Sequence, residues 1–598
     1  MSLNNNEKFS NREIVHLLRS VAAAHLIKNK NRFRIIAYEN AADTVEHMTR
    51  ELRDIWQEGK LADVPSIGST MAEALDEYFS RGASTHFKAI LADIPETVFD
   101  LMRVPSIGPK KAYKLVKTFK LNDRTNLFEN IKKLGQKNKI AKTPTFGKKS
   151  QEAILKAIAI FEDNTKATVA RRMPLPYAYS LAMEVITYLK KSGVVKRADA
   201  LGSLRRKVAT IGDVDIAVAC KYKDTKTVLD QFLKHPNKIA VDNAGEKKAS
   251  IIVSPNIRVD LRVQEQDSYG AMLQYFTGSK SHNIKLREYA LKKGYSLSEW
   301  GIKKVKTNQL LKFKTEEEFY AFLGLQYIPP EIREGTYEVE IAANNKIPKL
   351  VEIKDIKGDF HLHSSYNLQP SHDLGANSYS QILDKAIKLG YTYVGFSDHN
   401  PKISGLTKNQ IVTIMSKRHD YIKKTLHRYT GKIVYYIGLE TDILPNGDLA
   451  LPEEALVYVD YLIISVHSVF NLDRDKMTQR VVKALANPKV KVLGHPTGRL
   501  LNRREGFEMG WEKIFAFCQQ SNIAVEINSW PQRLDLPDTL VYKALESGVK
   551  LIVDTDAHAT EQMDNMFYGV AVARRGWATK NDIINALDQT ELDKWMRG

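Results

Sequence analysis

The chain has 598 residues, 43% hydrophobic and 27% charged, with a formal net charge of +19. At roughly 150 residues per domain it is a multidomain protein with apolar material for several cores. Its only cysteines, Cys220 and Cys518, exclude a disulfide scaffold; there is no run of the ~18 apolar residues a membrane span needs and no signal-peptide pattern, so a reduced, cytoplasmic protein with no membrane partner is expected.

The charge is uneven. Residues 1–340 hold 57 Lys+Arg against 40 Asp+Glu, residues 341–598 hold 32 against 30, and residues 101–150 alone hold 14 against 2. A localised basic excess is the electrostatic footprint of a nucleic-acid binder, because lysines displace the counterions of phosphate.

Residues 10–58 repeat apolar side chains at helical spacing, as in Ile14, Val15, Leu17 and Leu18, and interleave basic and aromatic residues from Arg32 to Tyr38. An internal repeat follows. Val64-Pro65-Ser66-Ile67-Gly68 recurs as Val104-Pro105-Ser106-Ile107-Gly108, each opening a helix, and a weaker copy ends in Phe146-Gly147-Lys148-Lys149. Free backbone N–H groups at such helix starts hold phosphate without reading a base. Gly68, Gly108 and Gly147, with Lys110, Lys111 and Lys148, are therefore expected DNA-backbone contacts.

Strand-like runs appear from about residue 196 to 264. Asp213 and Asp215 are two apart, so a strand presents both on one face, and Asp260 alternates inward between Val259 and Leu261. Convergent carboxylates are a poor core but a good seat for hard divalent cations. The Gly202-Ser203 turn and the Arg205-Arg206 pair upstream suit a triphosphate. Residues 341–357 read as a linker. Beyond them, short apolar strands alternate with helices, for example at Tyr393–Phe396 and Tyr461–Ile464, which predicts a parallel α/β barrel. His361, His363, Asp398, His399, Glu440, His467, His495, Asp556 and His558 each fall at the end of such a run. Strand ends gather at one barrel face, and mixed imidazole and carboxylate ligation suits Zn²⁺ or Mn²⁺.

On these motifs, residues 1–340 resemble the family X DNA polymerases, the group that includes DNA polymerase beta; Tyr275-Phe276-Thr277-Gly278-Ser279, Asn283 and Arg287 complete the pattern. The resemblance implies that Asp213, Asp215 and Asp260 hold two Mg²⁺ or Mn²⁺ ions for attack of a primer 3′-hydroxyl on a deoxynucleoside triphosphate. Gly202, Ser203, Arg206, Gly212 and Gly278 would hold the triphosphate, Tyr275 and Phe276 the sugar, Asn283 the nascent pair, and Arg287 the template. In the helix after the first hairpin, Ala74 stands where polymerase beta-like members carry a lyase lysine, so no lyase activity is expected through it.

Residues from about 355 onward resemble the PHP (polymerase and histidinol phosphatase) domain, which implies up to three Zn²⁺ or Mn²⁺ ions. His361, His363, Glu440 and Asp556 would hold one, Glu440, His467 and His495 a second, and Asp373, His399 and His558 a third. The loop departs from the family's pattern, since Leu374 separates Asp373 from Gly375, which leaves neighbouring His372 as an alternative ligand. The joined architecture resembles the bacterial PolX enzymes. It implies a multidomain α/β chain: helical 1–90 and 91–170 with the hairpin motifs, a nucleotidyltransferase palm at 171–270, an α+β thumb at 271–340, the linker, and a distorted (β/α)7 PHP barrel at 358–598. The expected function is repair synthesis across gaps in DNA with 3′-5′ exonuclease activity, cleavage at abasic sites being a further option. A purely structural barrel is the alternative, and a monomer is expected.

Overall fold

The computed structural model describes the chain except residues 1–8, 10, 29–31, 47–51, 58, 65, 103, 105–106, 125, 145, 149, 153, 156, 159–171, 254–256 and 598. Pro65, Pro105, Ser106 and Lys149 of the repeats thus lie outside the described residues. Two compact units emerge, Met1–Arg171 and Arg172–Gly598.

The first unit is helical among its described residues. Helices Asn11–Ile27, Arg32–Glu46, Leu52–Gln57 and Ser69–Arg81 enclose one core around Ile14, Leu18, Val45, Leu52 and Leu75. Helices Glu96–Met102, Pro109–Phe119 and Leu127–Gln136 enclose a second around Val98, Leu115, Val116 and Ile131. The three repeats make one turn. Ile67 N–H donates to Val64 O at 3.1 Å, Ile107 to Val104 at 3.2 Å and Phe146 to Thr143 at 2.9 Å. Gly68 and Gly108 cap the next helices with nearly identical backbones, φ −78°, ψ 168° and φ −77°, ψ 169°.

The second unit opens with helix Leu175–Lys190 packed on a five-stranded sheet. Its strand order is Arg197–Ala200, Val214–Ala219, Ile257–Gln264, Lys248–Val253, Lys238–Ala244. Only the Val214–Ala219 and Ile257–Gln264 pair is parallel, and its register sets Asp215 opposite Asp260. Helices Tyr269–Thr277 and Lys280–Lys292 and a small antiparallel sheet, Tyr295–Ser298, Gly301–Lys304 and Leu310–Leu311, follow. Residues 341–357, expected as a linker, are anchored. Ala342, Ile347, Leu350, Val351 and Ile356 are buried, single apolar anchors set among four lysines and one proline.

Seven parallel strands then lie side by side in chain order: Gly358–Asp359, Tyr393–Phe396, Val434–Asp442, Tyr461–Ser465, Val490–Leu493, Ala524–Asn528 and Leu551–Asp554. A parallel bridge between Leu362 and Ala557 joins the two ends of the row beyond their strands, so the barrel is nearly closed. There His363 N–H donates to Ala557 O at 2.9 Å and Ala557 N–H to His361 O at 3.1 Å. Strand alternation sends Leu362 to one side and both flanking imidazoles to the other. Among the described residues no helix is long and apolar enough to cross a membrane.

Candidate active sites

The first site sits on the five-stranded sheet. Asp215 and Asp260 are direct neighbours across the parallel pair, and Asp213 immediately precedes the strand. Burial, with Asp213 and Asp260 adding like charge, pushes the Asp215 carboxyl up to about 7. Asp260 accepts from the Ser250 hydroxyl and from Arg258 Nε at 2.9 and 3.1 Å, and Arg258 also pairs with Asp242 at 3.2 Å. A buried carboxyl raised by two neighbouring acids fits a divalent cation, which removes that penalty. Gly202 closes on them with φ +57°, and a Cβ there would stand 2.8 Å from Asp215 Oδ2. Only glycine admits both the backbone and the approach.

Around the acids, Ser203 lies in the short helix Gly202–Arg205, and Gly212 is exposed just before Asp213. Arg206 is buried and already engaged: Nη1 donates to Thr277 O at 2.6 Å and Nε to Glu334 Oε1 at 3.3 Å. Gly278, φ +67°, lies against that guanidinium. Tyr275 and Phe276 meet edge to face with centroids 4.9 Å apart. Arg262 stands 3.9 Å over Phe276 and Arg287 5.1 Å over Tyr275. Asn283 Nδ2 donates to Tyr275 O at 2.7 Å, while its Oδ1 accepts from Gln274 at 2.8 Å. The expected triphosphate and base-pair residues therefore form one connected set with the acids. In the helical unit, a Cβ added at Gly68, Gly108 or Gly147 would meet nothing within 4 Å, and Lys110, Lys111 and Lys148 are exposed. Open space above each helix start is what an approaching phosphate requires.

The second site gathers at the carboxyl end of the barrel strands. His361, His363, His399, Glu440, His495 and Asp556 are buried. Glu440 is central, with Oε2 2.9 Å from His399 Nδ1 and 3.3 Å from His361 Nε2, and Oε1 2.9 Å from His495 Nε2 and 3.4 Å from His467 Nε2. Asp556 Oδ1 lies 3.2 Å from His363 Nε2 and 3.5 Å from His361 Nε2. The His363 and His558 rings stack with centroids 4.0 Å apart. Asp373 is largely exposed, yet its oxygens come within 3.8 Å of His399 Nε2 and His558 Nε2. His372, the alternative ligand, lies 3.0 Å from Asp442, and its ligand atom groups with those of Asp442 and His467 within 4.8 Å.

These groups fit metal ions. His361 Nε2, both nitrogens of His363, His399 Nδ1, His558 Nε2 and Glu440 Oε2 are buried without a hydrogen-bond partner. Burial, helped by His558 and His399, pushes His363 down to about 3, so it stands as a neutral ligand. Burial opposes a charge on His361, but Glu526, Asp556 and Glu440 overcome it and hold that imidazole well above its usual range. Ligand atoms of His361, His363 and Asp556, of His363, His399 and His558, and of His399, Glu440 and His467 each lie within 4.8 Å of one another. Asp556 and His495 take positive φ, 53° and 22°, strain that persists at functional positions.

Sequence reasoning missed the groups behind these ligands. Glu526 faces His361 Nδ1 at 2.6 Å and accepts the His495 N–H. Asp442 holds His467 Nδ1 at 2.7 Å. Asn528 Nδ2 donates to Asp556 Oδ2 at 3.1 Å. Such partners fix ring orientation and tautomer. Asp398, at a strand end, is instead consumed by structure, paired with Arg418 at 2.7 Å and accepting from Ser364 N–H at 2.6 Å.

Comparison with known proteins assigns three regions to families. A helix-hairpin-helix domain matches residues 9–84, a DNA polymerase beta thumb residues 272–334 and a PHP domain residues 359–530. A repair DNA polymerase X of African swine fever virus is 31% identical over 144 residues, 23% of this chain and 82% of the viral protein. A probable phosphatase of Clostridium acetobutylicum is 26% identical over 219 residues, 35% of this chain and 81% of the phosphatase. A DNA polymerase/3'-5' exonuclease PolX of Bacillus subtilis is 33% identical over 591 residues, 98% of this chain and 99% of that protein. Identity of that extent along nearly all of both chains, with the three domain matches in the order the fold has them, makes this chain a member of the PolX family, a family X DNA polymerase joined to a PHP domain.

Proposed function

We propose that the protein fills gaps in DNA from deoxynucleoside triphosphates and degrades 3′ ends at its barrel. The observation that carries the first half is the parallel register placing Asp215 beside Asp260, with Asp213 close enough to perturb Asp215. Mg²⁺ or Mn²⁺ held there would lower the pKa of the primer 3′-hydroxyl and neutralise the departing pyrophosphate. Asp213 and Asp215 would hold both ions, and Asp260 would join in holding the one that activates the primer. Ser203, Arg206 and the backbone at Gly202 and Gly212 receive the triphosphate. Tyr275 and Phe276 carry the sugar, while Asn283 and Arg287 lie along the nascent pair and template. The open helix starts at Gly68, Gly108 and Gly147, flanked by lysines, hold the DNA backbone independently of sequence.

Removal of 3′ nucleotides belongs to the barrel. Zn²⁺ or Mn²⁺ ions held by its imidazoles and acids would make water nucleophilic at neutral pH and stabilise the charge that builds on phosphate. His361, His363, Glu440 and Asp556 form the first ligand group, with Glu440 shared by His467 and His495. Asp373, whose oxygens lie 3.8 Å from both imidazoles, would complete the group of His399 and His558. Unpartnered buried imidazoles support an active barrel over a structural one, because a structural core would satisfy them.

The test is primer extension and 3′-end degradation on gapped DNA with wild type, Asp260→Ala and His361→Ala. Asp260→Ala loses synthesis by roughly 10³-fold or more, the scale for a group acting at the reacting atoms, and keeps degradation. His361→Ala does the reverse. Loss of both activities in both variants would refute two separate sites.

A further inference from the structure

Helix Met566–Arg575 belongs to the barrel, but its last residue reaches the nucleotide loop of the five-stranded sheet. Arg575 is buried and its guanidinium is divided between two domains. Nε and Nη2 face Asp538 of the barrel at 2.8 and 2.6 Å. Nη1 points away, donating to Arg206 O at 2.8 Å and to Glu334 Oε1 at 2.8 Å. Glu334 Oε1 also accepts from Arg206 Nε at 3.3 Å, and Arg206 Nη1 donates to Thr277 O at 2.6 Å, one residue before Gly278. One barrel arginine thus fixes Arg206 at both ends, its carbonyl directly and its guanidinium through Glu334. The same helix supports the next residue, since Lys207 Nζ stands 4.8 Å over the Phe567 ring. Only a planar fork with five donors serves two domains at once, and an ammonium on the same stem cannot.

We propose that Arg575 is a positioning residue for the polymerase site: acting through Arg206, it holds the Gly202–Arg206 loop in the form that takes a deoxynucleoside triphosphate, so the barrel domain sets nucleotide affinity at the other site. This rests on the polymerase reading above. Arg575 touches neither the three aspartates nor the imidazole cluster. Its loss therefore loosens the triphosphate seat and leaves both sets of metal-facing groups in place.

The experiment uses the full chain and steady-state filling of a one-nucleotide gap, with 3′-end degradation measured in parallel. Arg575→Gln raises KM for the deoxynucleoside triphosphate about tenfold, the equivalent of one buried charge-assisted hydrogen bond. It leaves kcat within about twofold and degradation unchanged, the pattern of lost binding rather than lost chemistry. Arg575→Lys keeps the charge but not the fork and gives the same rise. An unchanged KM in either variant overturns the proposal, as does a parallel fall of kcat and degradation, which marks a merely structural role. If both variants fail to fold, Glu334→Gln decides, since it removes the carboxylate the two arginines share without altering the barrel: a raised KM supports the proposal and an unchanged one overturns it. A wild type that fills no gap refutes the polymerase reading itself, whereas a variant matching an active wild type refutes only the junction.

Discussion

The two sites hold their acids in opposite ways. On the sheet, three carboxylates meet with no imidazole among them, on two inner strands and the exposed Asp213 that precedes one of them. Burial, with like charge from Asp213 and Asp260, pushes Asp215 up to about 7. In the barrel, burial opposes the charge of Glu440 and Asp556, but the facing imidazoles overcome it and hold both well below the usual carboxylate range, while His361 is held well above its own. On the proposed roles, the first arrangement is half a cage: its oxygen ligands on one side would leave the rest of a hard ion's coordination shell to substrate phosphate. The second would be a complete cage, with nitrogen and oxygen ligands and orienting partners already gathered. The proposal thus has the polymerase site finished by its nucleotide and the barrel site by its own fold.

The sharpest way to break this contrast is Asp215→Asn. It abolishes synthesis, and it also changes the pH dependence of the metal-free fold. A carboxyl raised to about 7 keeps its proton in the folded chain while the unfolded chain gives it up near pH 4. Stability of wild type therefore falls as pH rises from about 4 to 7, by on the order of 3 kcal/mol, and levels off above that. Chemical denaturation of chelator-treated protein at stepped pH should show that fall in wild type and lose it in Asp215→Asn. Superimposable curves would mean that the fold does not hold the Asp215 carboxyl up.

Glu526→Ala probes the other cage. It removes the partner of His361 Nδ1 and of the His495 amide. Metal affinity of the barrel should weaken about 10- to 100-fold, the usual cost of an outer-shell partner, with gap filling untouched. Competition with a chromogenic chelator measures it. A smaller effect is expected from Gly202→Ala. Its backbone at φ +57° and the 2.8 Å approach to Asp215 disfavour any side chain, at about 1–3 kcal/mol for the backbone alone. Synthesis should slow about 30-fold, which is the middle of that range expressed as a rate, while degradation stays constant.

Much of this was legible from residue order, for stated reasons. A strand's two-residue period makes Asp213, Asp215 and Asp260 recognisable, and the same period pairs His361 with His363. The duplicated pentapeptide marks two helix starts, and the third, with Phe146 in place of isoleucine, makes the same turn. Other features were hidden by the same logic. Glu526 sits inside Ala524–Asn528, where an acid in an apolar strand reads as a solvent-facing residue. Asp398 reads as a ligand until Arg418, twenty positions later, claims it. Residues 341–357 read as a linker because isolated anchors such as Val351 carry no period. Arg206 reads as a free phosphate ligand, whereas Thr277, Glu334 and Arg575 hold it from three distant segments. Contacts of that separation leave no local pattern.

The claim that one cage is resident and the other assembled is best measured as metal retained after desalting, by elemental analysis, with and without a non-hydrolysable deoxynucleoside triphosphate and gapped DNA. Wild type and Asp260→Ala should retain the same metal when free, His361→Ala should retain less, and only wild type and His361→Ala should gain Mn²⁺ when nucleotide and DNA are added. Metal lost from free Asp260→Ala, or retained in full by His361→Ala, would contradict the account.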